Sequence, residues 1–243
     1  MKLKYMYEYN LANDLKLRLD DLRITLKEDV YQPKTDSFLL VKELSEIIKP
    51  GQRVLEIGTG SGILAMVAAK NGAAIVVATD IHKTSILNAR LNSEINNLDI
   101  NFLVGHLFNP IKESNYFDII VSNITSLPLP PNNNHDIFIE RTVNGGPDGR
   151  MYLDPLITQV SQYIRKNGYF LLIHSNFSDI SKTYSQLKIN GFDVNIRMHE
   201  FPLGTTSAKY IKYYLEHFPQ RCRPVKKKSI WYQKIAVFIA KKT

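Results

Sequence analysis

The chain has 243 residues, 44% apolar and 22% charged, a composition that suits a globular domain and argues against disorder. No apolar run approaches the roughly 18 residues of a membrane-spanning helix, the charged start Met1-Lys2-Leu3-Lys4 argues against a signal peptide, and the single cysteine, Cys222, excludes an internal disulfide and a cysteine-cluster metal site. The net charge of +8 is uneven: residues 205–243 carry ten Lys/Arg against one acid, Glu216, and residues 1–204 carry 21 against 22 acids. A cytoplasmic protein without membrane contact is expected, with its positive excess in the last 39 residues.

In chain order, residues 1–30 read as a helical extension, because Leu11, Leu15, Leu19, Leu22 and Leu26 recur every three or four positions. Residues 31–243 read as the main domain. Arg53–Ile57 is a buried strand ended by glycines, and Ile63–Asn71 is a helix stopped by Gly72. Ala74–Asp80 is a strand, Lys83–Asn96 a helix, Ile100–Val104 and Phe117–Ser122 two more strands. A helix is expected over Leu153–Lys166, stopped by Asn167-Gly168, then a strand over Tyr169–His174 and a helix over Ile180–Ile189. Phe192–Met198 and Ile230–Ala240 read as strands, separated by a basic insertion, residues 204–229, with a helical stretch Ala208–His217.

This alternation predicts an α/β fold: a doubly wound, mostly parallel, seven-stranded Rossmann-like sheet. The last two strands close it as an antiparallel pair, and the insertion projects from their connection. Arg221, Arg223, Lys226, Lys227 and Lys228 in that insertion are candidates for contact with nucleic acid or an acidic partner; a solvated tail is the plain alternative.

The most informative segment is Glu56-Ile57-Gly58-Thr59-Gly60-Ser61-Gly62, which follows the first strand and opens a helix. Glycines there permit a tight turn and let a ligand approach the backbone, at the sheet end where ligands of open parallel sheets bind. The spacing G-x-G-x-G departs from the dinucleotide pattern G-x-G-x-x-G. Glu56, two residues before the first glycine, would repel a pyrophosphate and suits a cationic ligand. S-adenosylmethionine carries an ammonium and a sulfonium and no phosphate. Asp80, ending the second strand, is placed to accept hydrogen bonds from ribose hydroxyls, as acids there do in nicotinamide enzymes too.

These residues resemble the class I S-adenosylmethionine-dependent methyltransferases over about residues 30–200. Tyr31-Gln32-Pro33 with Asp36-Ser37, the strand Phe117–Ser122 with Asn123, and Gly145-Gly146-Pro147-Asp148-Gly149-Arg150 resemble the release-factor glutamine N-methyltransferases. The resemblance implies S-adenosylmethionine as methyl donor. It implies a donor site from Tyr31, Asp36, Ser37, Glu56, Gly58, Thr59, Gly60, Gly62, Asp80, Ile81, His106, Leu107 and Asn123. The family follows its fourth strand with Asn-Pro-Pro-Tyr, in which the Asn side chain and the first Pro carbonyl hold a glutamine amide and the Tyr stacks on it. This chain has Asn123-Ile124-Thr125-Ser126, keeping only the asparagine. His106 stands where the family has an adenine-binding Asp; a neutral ring nitrogen can still accept. Gln32 replaces the family's Glu.

Methyl transfer is an in-line displacement that needs aim and dryness more than an acid–base pair. Asn123 is the candidate catalytic residue, accepting an N–H nucleophile, and Ile124, Thr125 and Ser126 are candidate acceptor contacts. The six histidines show no metal spacing such as H-E-x-x-H, and no metal ligand is expected. His174, ending the fifth strand, is either a general base or a satisfied structural residue, the second being favoured. The expected activity is methyl transfer to a nitrogen or oxygen of a small-molecule or peptide acceptor. A translation factor, another protein or RNA as acceptor, and a non-catalytic donor-binding module, are the alternatives.

Overall fold

The computed structural model describes residues 22–27, 29–131 and 135–243. Its elements in order are α1 (Thr35–Ile47), β1 (Arg53–Ile57), α2 (Ile63–Lys70), β2 (Ile75–Asp80), α3 (Lys83–Ile95), β3 (Asn101–Val104) and β4 (Phe117–Ser122). There follow α4 (Ile137–Thr142), α5 (Leu153–Gln159), β5 (Ile164–Ser175), α6 (Ile180–Ile189) and β6 (Phe192–Pro202). α7 (Thr205–Ala208), α8 (Ile211–His217), β7 (Val225–Lys227) and β8 (Ile230–Lys242) complete the chain.

The sheet runs β3-β2-β1-β4-β5-β8-β6, with the short β7 paired to β8. β1 is parallel to β2 and β4, β2 to β3, and β4 to β5, whereas β8 is antiparallel to both β5 and β6. The predicted seven-stranded path and its antiparallel closure are therefore present, with β7 as an unforeseen eighth strand.

The strands are apolar throughout because both faces are covered. Successive residues serve opposite faces. Val54, Ile119 and Val121 pack in one core with Leu40 and Leu44 of α1, Leu64 and Val67 of α2 and Ile86 of α3. Leu55, Ile57 and Ile120 pack in the other with Leu153 and Leu156 of α5 and Leu187 of α6. Strand order reverses between β1 and β4, which places a crevice at the carboxyl ends of β1, β2 and β4.

Several sequence expectations are corrected. Residues 22–27 are extended, not helical; residues 1–21 of the predicted N-terminal helix lie outside the described residues. The helix expected over 153–166 ends at Gln159, because β5 begins at Ile164 and passes an irregularity at Asn167-Gly168, where Asn167 has a φ of 64°. The helix expected over 208–217 is two short ones, α7 and α8, broken at Lys209-Tyr210. α1 and α4 were not anticipated.

The extended segment is held by an asparagine ladder on α3. The main-chain N–H groups of Arg23, Thr25 and Lys27 donate to Oδ1 of Asn96, Asn92 and Asn88 at 2.7–2.8 Å. The amide nitrogens return bonds to the carbonyls of Arg23 and Thr25. Four helical residues rise about 6 Å and two extended residues about 6.6 Å, so the two periods match.

Candidate functional site

The glycine turn between β1 and α2 is built around two buried acids. Glu56 Oε2 accepts from Thr59 Oγ1 at 2.7 Å and from the N–H of Ala65 at 2.9 Å, bracing the turn and the first turn of α2. Burial without a cationic neighbour pushes its carboxyl up from 4.5 to about 8, against the pull of those hydrogen bonds. Asp80 Oδ2 accepts from the N–H of Gly60 at 3.0 Å and Oδ1 from the N–H of His82 at 2.8 Å. Burial raises its pKa also, opposed by the His82 and Gly60 amides. Gly58 and Gly60 have φ of 76° and 52°, and the space where a Cβ of Gly60 would sit is open.

A cavity of about 550 Å3 opens at this crevice, within the size range of small-molecule sites. Its wall brings together Tyr31, Asp36, Ser37, Glu56, Gly58, Thr59, Gly60, Asp80, Ile81, His106, Leu107 and Asn123 with Ile124, Thr125 and Ser126. Gly62 is the exception. It is absent from the wall, and a Cβ there would meet Ala89 of α3 at 2.9 Å, so this glycine serves helix packing. Gln32 is exposed and off the wall.

Asn123 stands just past β4 and donates from Nδ2 to Asp36 Oδ2 and to Ser37 Oγ, both at 3.0 Å. Both amide hydrogens are thereby used, which leaves Oδ1 as the free end. Asp36 Oδ1 is buried with no hydrogen-bond partner, a site suited to a cationic group. His174 is not available as a base. Its Nδ1 bonds the Ser175 carbonyl and its Nε2 bonds Thr183 Oγ1, and burial lowers its pKa to about 3. It is a neutral, satisfied core histidine. Among the described residues, no group of three or more His, Cys, Asp or Glu side chains is placed to hold a metal ion.

Sequence reasoning missed other wall residues. Lys34 and Thr35 come from the start of α1, Arg141 from α4, and Tyr152 lies before α5, its ring 6.1 Å from that of His106. Phe201, Thr205, Thr206 and Gln233 come from the last third of the chain. They carry no motif; only the fold brings them to β4. The basic residues of the insertion point elsewhere. Arg221 pairs with Asp179 at 2.7 Å, Lys227 with Glu200, and Arg223 Nε donates to the Phe218 carbonyl.

A family model described as "Ribosomal protein L11 methyltransferase (PrmA)" matches residues 35–135. The chain is 32% identical over 180 residues to "Putative protein N5-glutamine methyltransferase MJ0928" of Methanocaldococcus jannaschii, covering 74% of this chain and 89% of that one. It is 29% identical over 167 residues to the ribosomal protein L11 methyltransferase of Lactobacillus johnsonii, covering 68% of this chain and 44% of that protein, less than half its length. A chain of the E. cuniculi Mtq2-Trm112 complex superposes with a TM-score of 0.59 at 17% identity, covering 88% of this chain and 99% of that one, which shows the shared fold. Identity of this extent across nearly the whole archaeal relative, together with the crevice at the β1/β4 reversal, makes this chain a member of the class I S-adenosylmethionine-dependent methyltransferases, in the family of the protein N5-glutamine methyltransferases.

Proposed function

We propose that this methyltransferase acts on a nitrogen, and that the nitrogen is an amide carried by a peptide segment of a cytoplasmic protein. The observation that carries the reading is the fixed amide of Asn123. With both hydrogens given to Asp36 and Ser37, its oxygen is left to accept, and it suits a nucleophile that donates a hydrogen, as an amide N–H does. The archaeal relative's name, a protein N5-glutamine methyltransferase, supports the same acceptor chemistry.

The donor fits the residues present. The unpartnered Oδ1 of Asp36 suits the donor's ammonium, with Tyr31 and Ser37 beside it. Asp80 would accept from the ribose hydroxyls, the backbone of Gly58, Thr59 and Gly60 would approach the nucleoside closely, and Ile81, His106 and Leu107 would enclose the adenine. Glu56 contributes by bracing the turn through its bonds from Thr59 and Ala65. Bound there, the donor supplies an electrophilic methyl group and a neutral thioether leaving group.

The chain's own part is to aim and desolvate. Asn123 Oδ1 would hold the acceptor N–H, which orients the nitrogen toward the methyl group and polarises its bond to hydrogen so that electron density builds up on the nitrogen. Ile124, Thr125 and Ser126 line the way in, and the buried walls keep water from competing. The acceptor nitrogen, held by Asn123, would take up the methyl group that the bound donor supplies and give up its own proton to solvent.

The test is incubation with S-adenosyl-[methyl-3H]methionine and a size-fractionated cell extract. Protease-sensitive label that acid hydrolysis releases as methylamine is the expected result. Label that is ribonuclease-sensitive, or released by mild base as methanol, would refute the amide reading.

A further inference from the structure

The segment between β6 and β8 looks in sequence like a basic arm, yet it folds over the loop that follows β4. Phe177, Tyr214, Phe218 and Cys222 form a separate small core, with Leu127 and Leu203 packed against it. Tyr214 is fully buried, its ring stacks on Phe177 at 4.3 Å, and its hydroxyl donates to the Pro128 carbonyl at 3.1 Å. Tyr213 donates to the Pro147 carbonyl at 2.9 Å. On the other flank, Ser178 Oγ donates to the Ser126 carbonyl, and the Cα of Gly149 lies so close that a Cβ would meet that oxygen at 2.4 Å. Four carbonyls of the loop 124–130 have partners outside it: Ser126 with Ser178, Leu127 with the Gly145 N–H, Pro128 with Tyr214 and Pro130 with His135, and of these Tyr214 alone belongs to the segment between β6 and β8.

We propose that residues 203–222 are the acceptor cap: Thr205, Thr206 and Ser207 select the acceptor, and Tyr214 positions the loop that carries the acceptor contacts. The proposal rests on the methyltransferase reading above and deepens it by naming where the acceptor lies. The cavity does not end at the donor half. Its wall also includes Phe201, Thr205, Thr206, Ser207 and Gln233 of β6, α7 and β8, all uncharged and most able to hydrogen-bond. The cap's cations lie off this wall. This part of the lining fits an uncharged, hydrogen-bonding group; the wall's cations, Lys34 and Arg141, belong to the start of α1 and to α4, outside the cap. The loop, lacking its family's prolines at 124 and 125, is held at Pro128 by Tyr214 of the cap and elsewhere by the 143–146 turn, through Leu127 N–H to the Val143 carbonyl, Leu129 N–H to the Gly146 carbonyl and Gly145 N–H to the Leu127 carbonyl.

Two substitutions test this. Thr206→Trp fills the acceptor half, and Tyr214→Phe removes one hydroxyl while keeping the ring stack. S-adenosylmethionine affinity, labelled methyl incorporation against extract concentration, and amide hydrogen exchange are measured for each beside wild type. Thr206→Trp is expected to lower incorporation by about tenfold or more with donor Kd within about twofold, and Thr206→Ser to restore it. Tyr214→Phe is expected to raise the extract concentration for half-maximal rate and to speed exchange at the Leu127 and Leu129 amides by about tenfold. Wild-type incorporation in Thr206→Trp, or unchanged exchange in Tyr214→Phe, overturns the cap. The chemistry of the wild-type label judges the amide reading separately, and the exchange result stands even where no acceptor is labelled.

Discussion

Asn123 shows how little of a site has to be charged to be directional. Its amide is turned by Asp36 and Ser37, so that one residue presents a lone acceptor at the tip of β4. Asn123→Ala is expected to lower methyl transfer by about a hundredfold, with a smaller change in donor affinity; single-turnover rates beside calorimetry check this. Glu56 gives a pH signature. A carboxyl raised from 4.5 to about 8 binds more protons folded than unfolded across that window, so its contribution to stability falls as pH rises through it. In Glu56→Gln the oxygen still accepts from Thr59 and Ala65 while the buried charge is gone. The melting temperature of Glu56→Gln relative to wild type is expected to rise between about pH 5 and pH 8, by at least about 2 °C. A gap that narrows with pH would contradict the assignment. At this scale the sequence was legible wherever a residue type carried its own chemistry: Glu56, Asp80, Asn123 and the glycines at 58 and 60 reach the cavity wall. Gly62 did not, because a glycine required by helix contact and one required by a ligand look alike in sequence.

Among the elements, β4 and α6 have the bounds that apolar runs and the Asn190-Gly191 stop suggested. α1 stayed hidden because it follows Pro33-Lys34 and carries Asp36-Ser37, residues that also favour turns. The C-terminal end of the 153–166 helix was misread because Ile164 sits at helical spacing from Val160, while the pairing of Phe117 with Ile164 draws it into the sheet. Gly62 joins the elements: it is the N-cap of α2 at φ 84° and the contact with Ala89 of α3. Gly62→Ala is expected to cost about 1–3 kcal/mol in urea unfolding, from the left-handed backbone and the collision together. A neutral result would mean that α3 shifts freely.

For the whole molecule, the mostly parallel sheet and its antiparallel closure were legible from alternation, and the place of the crevice from the glycine turn after the first strand; the strand order comes from the structure. The destination of the C-terminal charge was not, since ion pairing to Asp179 and Glu200 depends on long-range contacts that a charge count does not contain. Lys226→Gln with Lys228→Gln is accordingly expected to leave methyl transfer within about twofold at low and moderate salt. A salt-dependent loss in that variant would point to a nucleic-acid acceptor. The most direct test of the donor site is calorimetric titration of S-adenosylmethionine into the wild-type chain and into Asp80→Ala. One molecule bound per wild-type chain, and affinity about tenfold or more weaker in Asp80→Ala, is the expected outcome. No binding to the wild type, or equal affinity in the two, would contradict a donor held at the tips of β1 and β2.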